Sequence, residues 1–127
     1  MRKRPARRRD RGQAAIEYLG FLPLLLIVGL AGLQLGMAAY AAQQAGTAAR
    51  AAARADTVDV LDGEKGPDPK AAGLAAMSGW IASRSEIEVK DGVATVRVEI
   101  PPVLPFWDFD PVEKTATMPK PQDQEGP

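Results

Sequence analysis

The chain has 127 residues, as many basic as acidic side chains, and neither histidine nor cysteine. Without cysteine there is no disulfide framework and no thiolate metal site, and without histidine the commonest general base and metal ligand is gone. The zero net charge is a cancellation: residues 1–12 hold seven Lys or Arg against one acid, Asp10, while the remainder holds nine basic and fifteen acidic residues.

The basic head (Arg2, Lys3, Arg4, Arg7, Arg8, Arg9 and Arg11) is too short and too charged to pack, so it is predicted to be disordered. Lys and Arg beside a membrane span stay cytoplasmic, which places this head inside and the acidic body outside. The same charge draws the head to anionic lipid. No aromatic or folded reader accompanies it, so nucleic acid is not an expected partner.

From residue 18 to residue 49 there is no charged side chain, and residues 19–42 are dominated by Leu, Ala, Gly, Ile, Val, Phe and Met. Crossing a hydrocarbon core of about 30 Å takes about 20 apolar helical residues, so this run reads as one membrane span with length to spare. Pro23 frees a backbone carbonyl and is expected to bend the helix. Gly29, Gly32 and Gly36 (the last two in a Gly-x-x-x-Gly) put bare backbone on one face for another helix to approach. Glycine is also simply common in membrane helices. Ala39-Tyr40-Ala41 fits a small-x-small cleavage pattern and admits a secreted protein cut near Ala41. The apolar run before it is nevertheless longer than a signal peptide requires. Glu17 is the anomaly, a carboxylate at the mouth of a span, where an ionisable group needs a partner. Upstream arginines or the dipole of the helix N-terminus would serve.

Past the apolar run, residues 43–55 are mostly alanine with Arg50 and Arg54, so one unbroken helix is expected over about 14–55. Residues 56–69 carry turn signals at Asp62-Gly63, Gly66-Pro67 and Asp68-Pro69 and are expected to end it. Residues 70–83 space Ala71, Leu74, Met77, Trp80 and Ile81 as an amphipathic helix. That stripe reads as core, with Trp80 either inside it or on the membrane surface. Two alternating strands around Asp91-Gly92 form the clearest soluble element, a hairpin pairing Lys90 with Val93, Ile87 with Val96 and Glu86 with Arg97. This register puts Ile87, Val89, Ala94, Val96 and Val98 on one face and the Glu86/Arg97 pair on the other. Pro101-Pro102 closes the second strand. An aromatic connection with Phe106, Trp107 and Phe109 follows, and residues 112–118 form a third strand antiparallel to one of the others.

The fold class is therefore α+β, a long N-terminal transmembrane helix followed by a small exported domain with a short helix and a two- or three-stranded antiparallel sheet. The segments are a leader (1–12), the helix and its extension (13–55), the outer domain (56–118) and a polar, disordered tail (119–127). Asp56, Asp59, Asp62, Glu64 and Asp68 lack the spacing and terminal Glu of an EF-hand and read as a solvated loop. Asp108 and Asp110 would be paired carboxylates without a pocket to argue from, and the sequence offers no nucleophile-base pair. No catalytic residue, metal or cofactor is expected.

Gly12 stands five residues before Glu17, behind a basic leader and ahead of an apolar helix. This arrangement resembles the class III signal of type IV pilin-like proteins, in which a prepilin peptidase cuts after the glycine and leaves glutamate fifth in the mature chain. The resemblance implies a scissile Gly12-Gln13 bond, with Tyr18 matching the Glu-Tyr pair of the Flp subclass. With Ala14, Ile16, Pro23, the leucines at 24–26 and the Ala/Arg run at 48–54, it is similar to the TadE-like pseudopilins of the tight-adherence (Tad/Flp) pilus system. The implied role is a minor pseudopilin of a Tad-type pilus or secretion system. Membrane lipid, other pilins or pseudopilins, Tad assembly proteins and the peptidase would be its partners. Glu17, one helical turn from the new α-amino group of Gln13, would bind the amine of its own or a neighbouring helix and set axial register. The other readings are a single-span envelope protein with a partner-binding outer domain, and a secreted protein.

Overall fold

A computed structural model describes residues 9–61 and 66–119 of the chain; the backbone alone is described at Arg9 and residues 59–61. One helix, α1 (Arg9–Leu61), carries the chain through 53 residues and runs on through Pro23. It exceeds the expected 14–55 at both ends. Residues 9–12, read as leader, are helical, and so are residues 56–61, read as the start of a loop. Near the far end two side chains hold the added turn. Asp56 accepts the Gly92 N–H at 2.8 Å, and the Thr57 hydroxyl donates to the Ala53 carbonyl at 2.7 Å. Residues 1–8, 62–65 and 120–127, which include most of the basic head, the Asp62-Gly63 and Glu64 signals and the tail, lie outside the described residues.

The expected helix over 70–83 is two pieces, α2 (Pro69–Ala75) and α3 (Gly79–Ala82). Asp68 caps α2 by accepting the Ala71 N–H at 3.2 Å, and proline sits in its first turn, where a missing N–H costs nothing. The break between the pieces has a tertiary cause. Ser78 is extended (φ −60°, ψ 143°), and its N–H donates to the Gln44 side chain of α1 at 3.0 Å instead of continuing the helix. The apolar stripe is correspondingly only half used. Met77 and Ile81 are buried, whereas Ala71, Leu74 and Trp80 are exposed. Trp80 is neither core nor free, since it stacks on Tyr40 of α1 with ring centroids 6.2 Å apart.

Three strands follow, β1 (Ser85–Lys90), β2 (Val93–Val98) and β3 (Val112–Thr117), in an antiparallel sheet of order β1-β2-β3. The hairpin register is the expected one, Lys90 with Val93 through Glu86 with Arg97. Asp91 and Gly92 both have positive φ (52° and 79°), as a two-residue hairpin turn that matches strand twist requires. β3 joins β2 with Arg97 opposite Glu113 and Ala94 opposite Ala116. Arg97 thus lies between Glu86 and Glu113 on the solvent face. On the other face the edge strand carries an exposed Lys114 opposite buried Val96, the kind of charge that discourages further strand pairing.

The core lies between the sheet, α2 and one face of the outer half of α1. On α1 it is built from Ala41, Ala45, Ala48, Ala49, Ala52 and Ala53, facing Ile81, Ile87, Ala94, Val96 and Val98. Alanine at each of these helical steps lets backbone approach backbone. The approach is closest at Gly73 on α2, where a Cβ would stand 2.6 Å from Ile87 Cδ1 and 3.3 Å from both the Ala48 carbonyl and Ala52 Cβ. Gly73→Val is therefore expected to destabilise the protein by about 1–3 kcal/mol through overpacking. Gly73→Ala is expected to stay within about 1 kcal/mol of the parent, because better helix propensity offsets the shift of Ile87. Thermal unfolding of the full chain in detergent micelles, followed by circular dichroism, distinguishes the two.

Candidate functional site

The long helix has two parts that differ in what touches them. From Asp10 to Leu30 every described side chain is exposed, and these include Ile16, Tyr18, Leu19, Phe21, Leu24, Leu25, Leu26 and Val28. Mean hydropathy over the best 18-residue window is 2.1, and only 6% of that window is buried. An apolar helix left bare by its own protein fits a single-pass membrane anchor. Above Leu30 the helix is progressively covered by the small α+β domain.

The change occurs at Gln34, the only polar side chain between Tyr18 and Tyr40. Gln34 is 0% exposed. Its Oε1 accepts the Val103 N–H at 2.8 Å, and its Nε2 donates to the Pro101 carbonyl at 3.3 Å. Both partners belong to the proline-rich connection between β2 and β3, so this loop reaches back down the helix into the apolar run that reads as a membrane span. The domain does not sit beyond the apolar run; it claims the run's upper half. Two turns further along, a second clamp closes a ring. Gln44 Nε2 donates to the Tyr40 hydroxyl at 3.0 Å, the hydroxyls of Tyr40 and Ser78 lie 2.9 Å apart, and the Ser78 N–H returns to Gln44. Gln34 and Gln44 were not singled out by the sequence reasoning. An isolated amide inside an apolar run was the available signal, because such a group must find polar partners.

The residues that sequence did single out fall on the bare part. Gly12, Gln13, Glu17 and Tyr18 are helical and exposed, and Gln13 and Glu17 lie at i and i+4, neighbours on one face. The Gly12-Gln13 bond lies inside α1, four residues from its start. Gly29, Gly32 and Gly36 are also exposed, and beyond the neighbouring helix backbone a Cβ added to any of them would meet no described atom within 4 Å. At about 100° per residue, Gly32 and Gly36 lie nearly opposite Gln34. The domain therefore covers one side of the helix and leaves the glycine side bare.

Elsewhere the surface offers little chemistry. Asp108 and Asp110 are exposed on either side of Phe109. Asp56 and Asp68 act as a turn clamp and a helix cap. Among the described residues no group of three or more acids is arranged to hold a metal ion. A groove of about 490 Å³ runs between the far end of α1 and the start of α2, lined by Arg50, Arg54, Val58 and Pro67 among others.

Residues 12–54, about a third of the chain, match the family model described as TadE-like protein, the family that the Gly12–Tyr18 element and its helix resemble. No curated protein and no solved structure matches the chain.

Gln34→Leu is expected to lower stability by about 1–3 kcal/mol, since it removes two hydrogen bonds and strands the Val103 N–H. For a domain of this size that is a drop of roughly 4–8 °C per kcal/mol in the midpoint of thermal unfolding in micelles. An unchanged midpoint would show that the Gln34 clamp carries no stability.

Proposed function

With residues 12–54 TadE-like, we propose that the protein is a minor pseudopilin, a structural assembly component of a Tad-type pilus or secretion system rather than an enzyme. The observation that carries this reading is the match centred on a bare apolar helix that opens with Gly12, Glu17 and Tyr18. The basic head stays in the cytoplasm and the α+β domain faces outward, in keeping with the charge asymmetry about the span.

In this reading a prepilin peptidase cuts between Gly12 and Gln13. Glycine weakens a helix by about 1 kcal/mol relative to alanine, so Gly12 favours local unwinding one turn from the helix start. Cleavage leaves an α-amino group on Gln13 and a carboxylate one turn away on Glu17. In a medium of low dielectric each charge is costly alone and the two attract strongly. Glu17 then binds the amine of its own helix or of a neighbour and fixes how far one subunit is displaced along another. Gly29, Gly32 and Gly36 supply the face on which a partner helix packs, a role that fits their position away from the domain.

The alternative of secretion after cleavage near Ala41 would divide α1 within the domain's own core. Ala41 and Ala45 are buried there, and Gln34, which ties down the Pro101–Val103 loop, would be lost. A plain single-span anchor retains the fold but gives Gly12 and Glu17 no role.

The N-terminal residue of the mature chain distinguishes these readings. Intact mass or N-terminal sequencing of protein from a host with prepilin peptidase is expected to find Gln13, and Gly12→Leu is expected to leave Met1. A start near Ala42 would mean secretion. Retention of Met1 by the parent would remove the cleavage step. Glu17→Ala is expected to abolish assembly while leaving membrane insertion intact; assembly at the parent level would rule out the register role of Glu17.

A further inference from the structure

The loop that grips Gln34 carries the most exposed aromatic side chains of the folded domain. Phe106 is 70% and Trp107 is 55% exposed. Trp107 stacks on Phe109 with centroids 5.9 Å apart, and both rings line a small apolar cleft with Ala31, Leu35 and Leu104. Leu104 is buried, so the loop is anchored beneath while Phe106 and Trp107 project. We propose that this loop is a collar on the outer surface of the bilayer, with Phe106 and Trp107 seated in the lipid interface, where they fix the depth of the helix.

Position along the helix supports that occupant. Trp107 lies beside Ala31 and Leu35. Twenty residues of helix, about 30 Å at 1.5 Å per residue, separate Ala31 from Arg11. That is the thickness of a hydrocarbon core, so a collar at Ala31 sets the other boundary at Arg11, the last basic residue of the head. Aromatic rings with one polar edge are the side chains that favour such interfaces. The loop's backbone suits the location too. Pro101, Pro102, Pro105 and Pro111 have no N–H to satisfy, Val103 donates to Gln34, and Trp107 donates to the Leu104 carbonyl at 3.3 Å. The Tyr40/Trp80 stack begins seven residues above Leu33, roughly 10 Å farther out, and lies beyond the hydrocarbon.

This proposal rests on the reading of α1 as a membrane span, and the experiment separates the two. The chain has two tryptophans, so Trp80→Phe leaves Trp107 as the only one while keeping a ring on Tyr40. The full-length variant is reconstituted in phosphatidylcholine vesicles containing lipid brominated at carbons 6,7 or at 11,12. Trp107 emission is expected to be quenched about twofold more by the shallow label, and to be shielded from aqueous iodide. A companion chain, Trp80→Phe/Trp107→Phe/Leu24→Trp, reports on the middle of the span and is expected to be quenched more by the deep label. If position 24 is reached by lipid but Trp107 is open to iodide and untouched by either label, the collar is overturned and the span stands. If neither position is reached by lipid, both fail. Circular dichroism confirms that each variant is folded, and Phe106→Trp in the Trp80→Phe/Trp107→Phe background repeats the measurement from the adjacent position.

Discussion

A glutamine in the middle of an apolar helix must satisfy a donor and an acceptor, and neither lipid nor alanine can do so. Gln34 finds both partners on one loop, and that pair of hydrogen bonds marks where the bare part of the helix stops and the folded domain starts. Below it the helix keeps its apolar side chains exposed. Above it the same helix exchanges leucine for alanine and becomes the central element of a small core. The 53-residue helix therefore has a bare part and a covered part, and Gln34 stands at their border.

That sharing explains how so small a domain holds together. A three-stranded sheet with two short helices is a marginal unit by itself. Here it borrows six alanines from α1 and gains three tethers along it, at Gln34, at the Gln44–Tyr40–Ser78 ring, and at Asp56 beneath the hairpin turn. The tethers span 22 residues of helix, so the domain lies alongside its stalk and moves with it. A force or displacement acting on the helix reaches the domain without passing through a flexible linker.

The same arrangement divides the helix by side. The domain takes the face of Gln34, Ala41, Ala45 and Ala52, and the glycine face remains open. The carboxylate at Glu17 lies on the bare segment, about 25 Å below Gln34 at 1.5 Å per residue.

Local rules in the sequence determined a good deal of this protein. The apolar run specified one long helix. The Asp91-Gly92 turn with alternating strands specified a hairpin register that the structure reproduces residue for residue, because a two-residue loop fixes the pairing and a side-chain period of two then puts Ile87 and Val96 on the same face. The Gly12, Glu17 and Tyr18 element pointed to the TadE-like family, whose model matches residues 12–54, before any fold was considered. What the sequence could not settle were the interactions between distant segments. Gln34 lies 67 and 69 residues from its partners, Ser78 lies 34 residues from Gln44, and Asp56 lies 36 residues from Gly92. The helix consequently runs past the expected residue 55 to Leu61, and one expected amphipathic helix is cut in two. The domain grips the upper part of what read as a continuous span. Periodicity reports which side of an element is apolar, but only tertiary packing decides whether lipid or protein covers it.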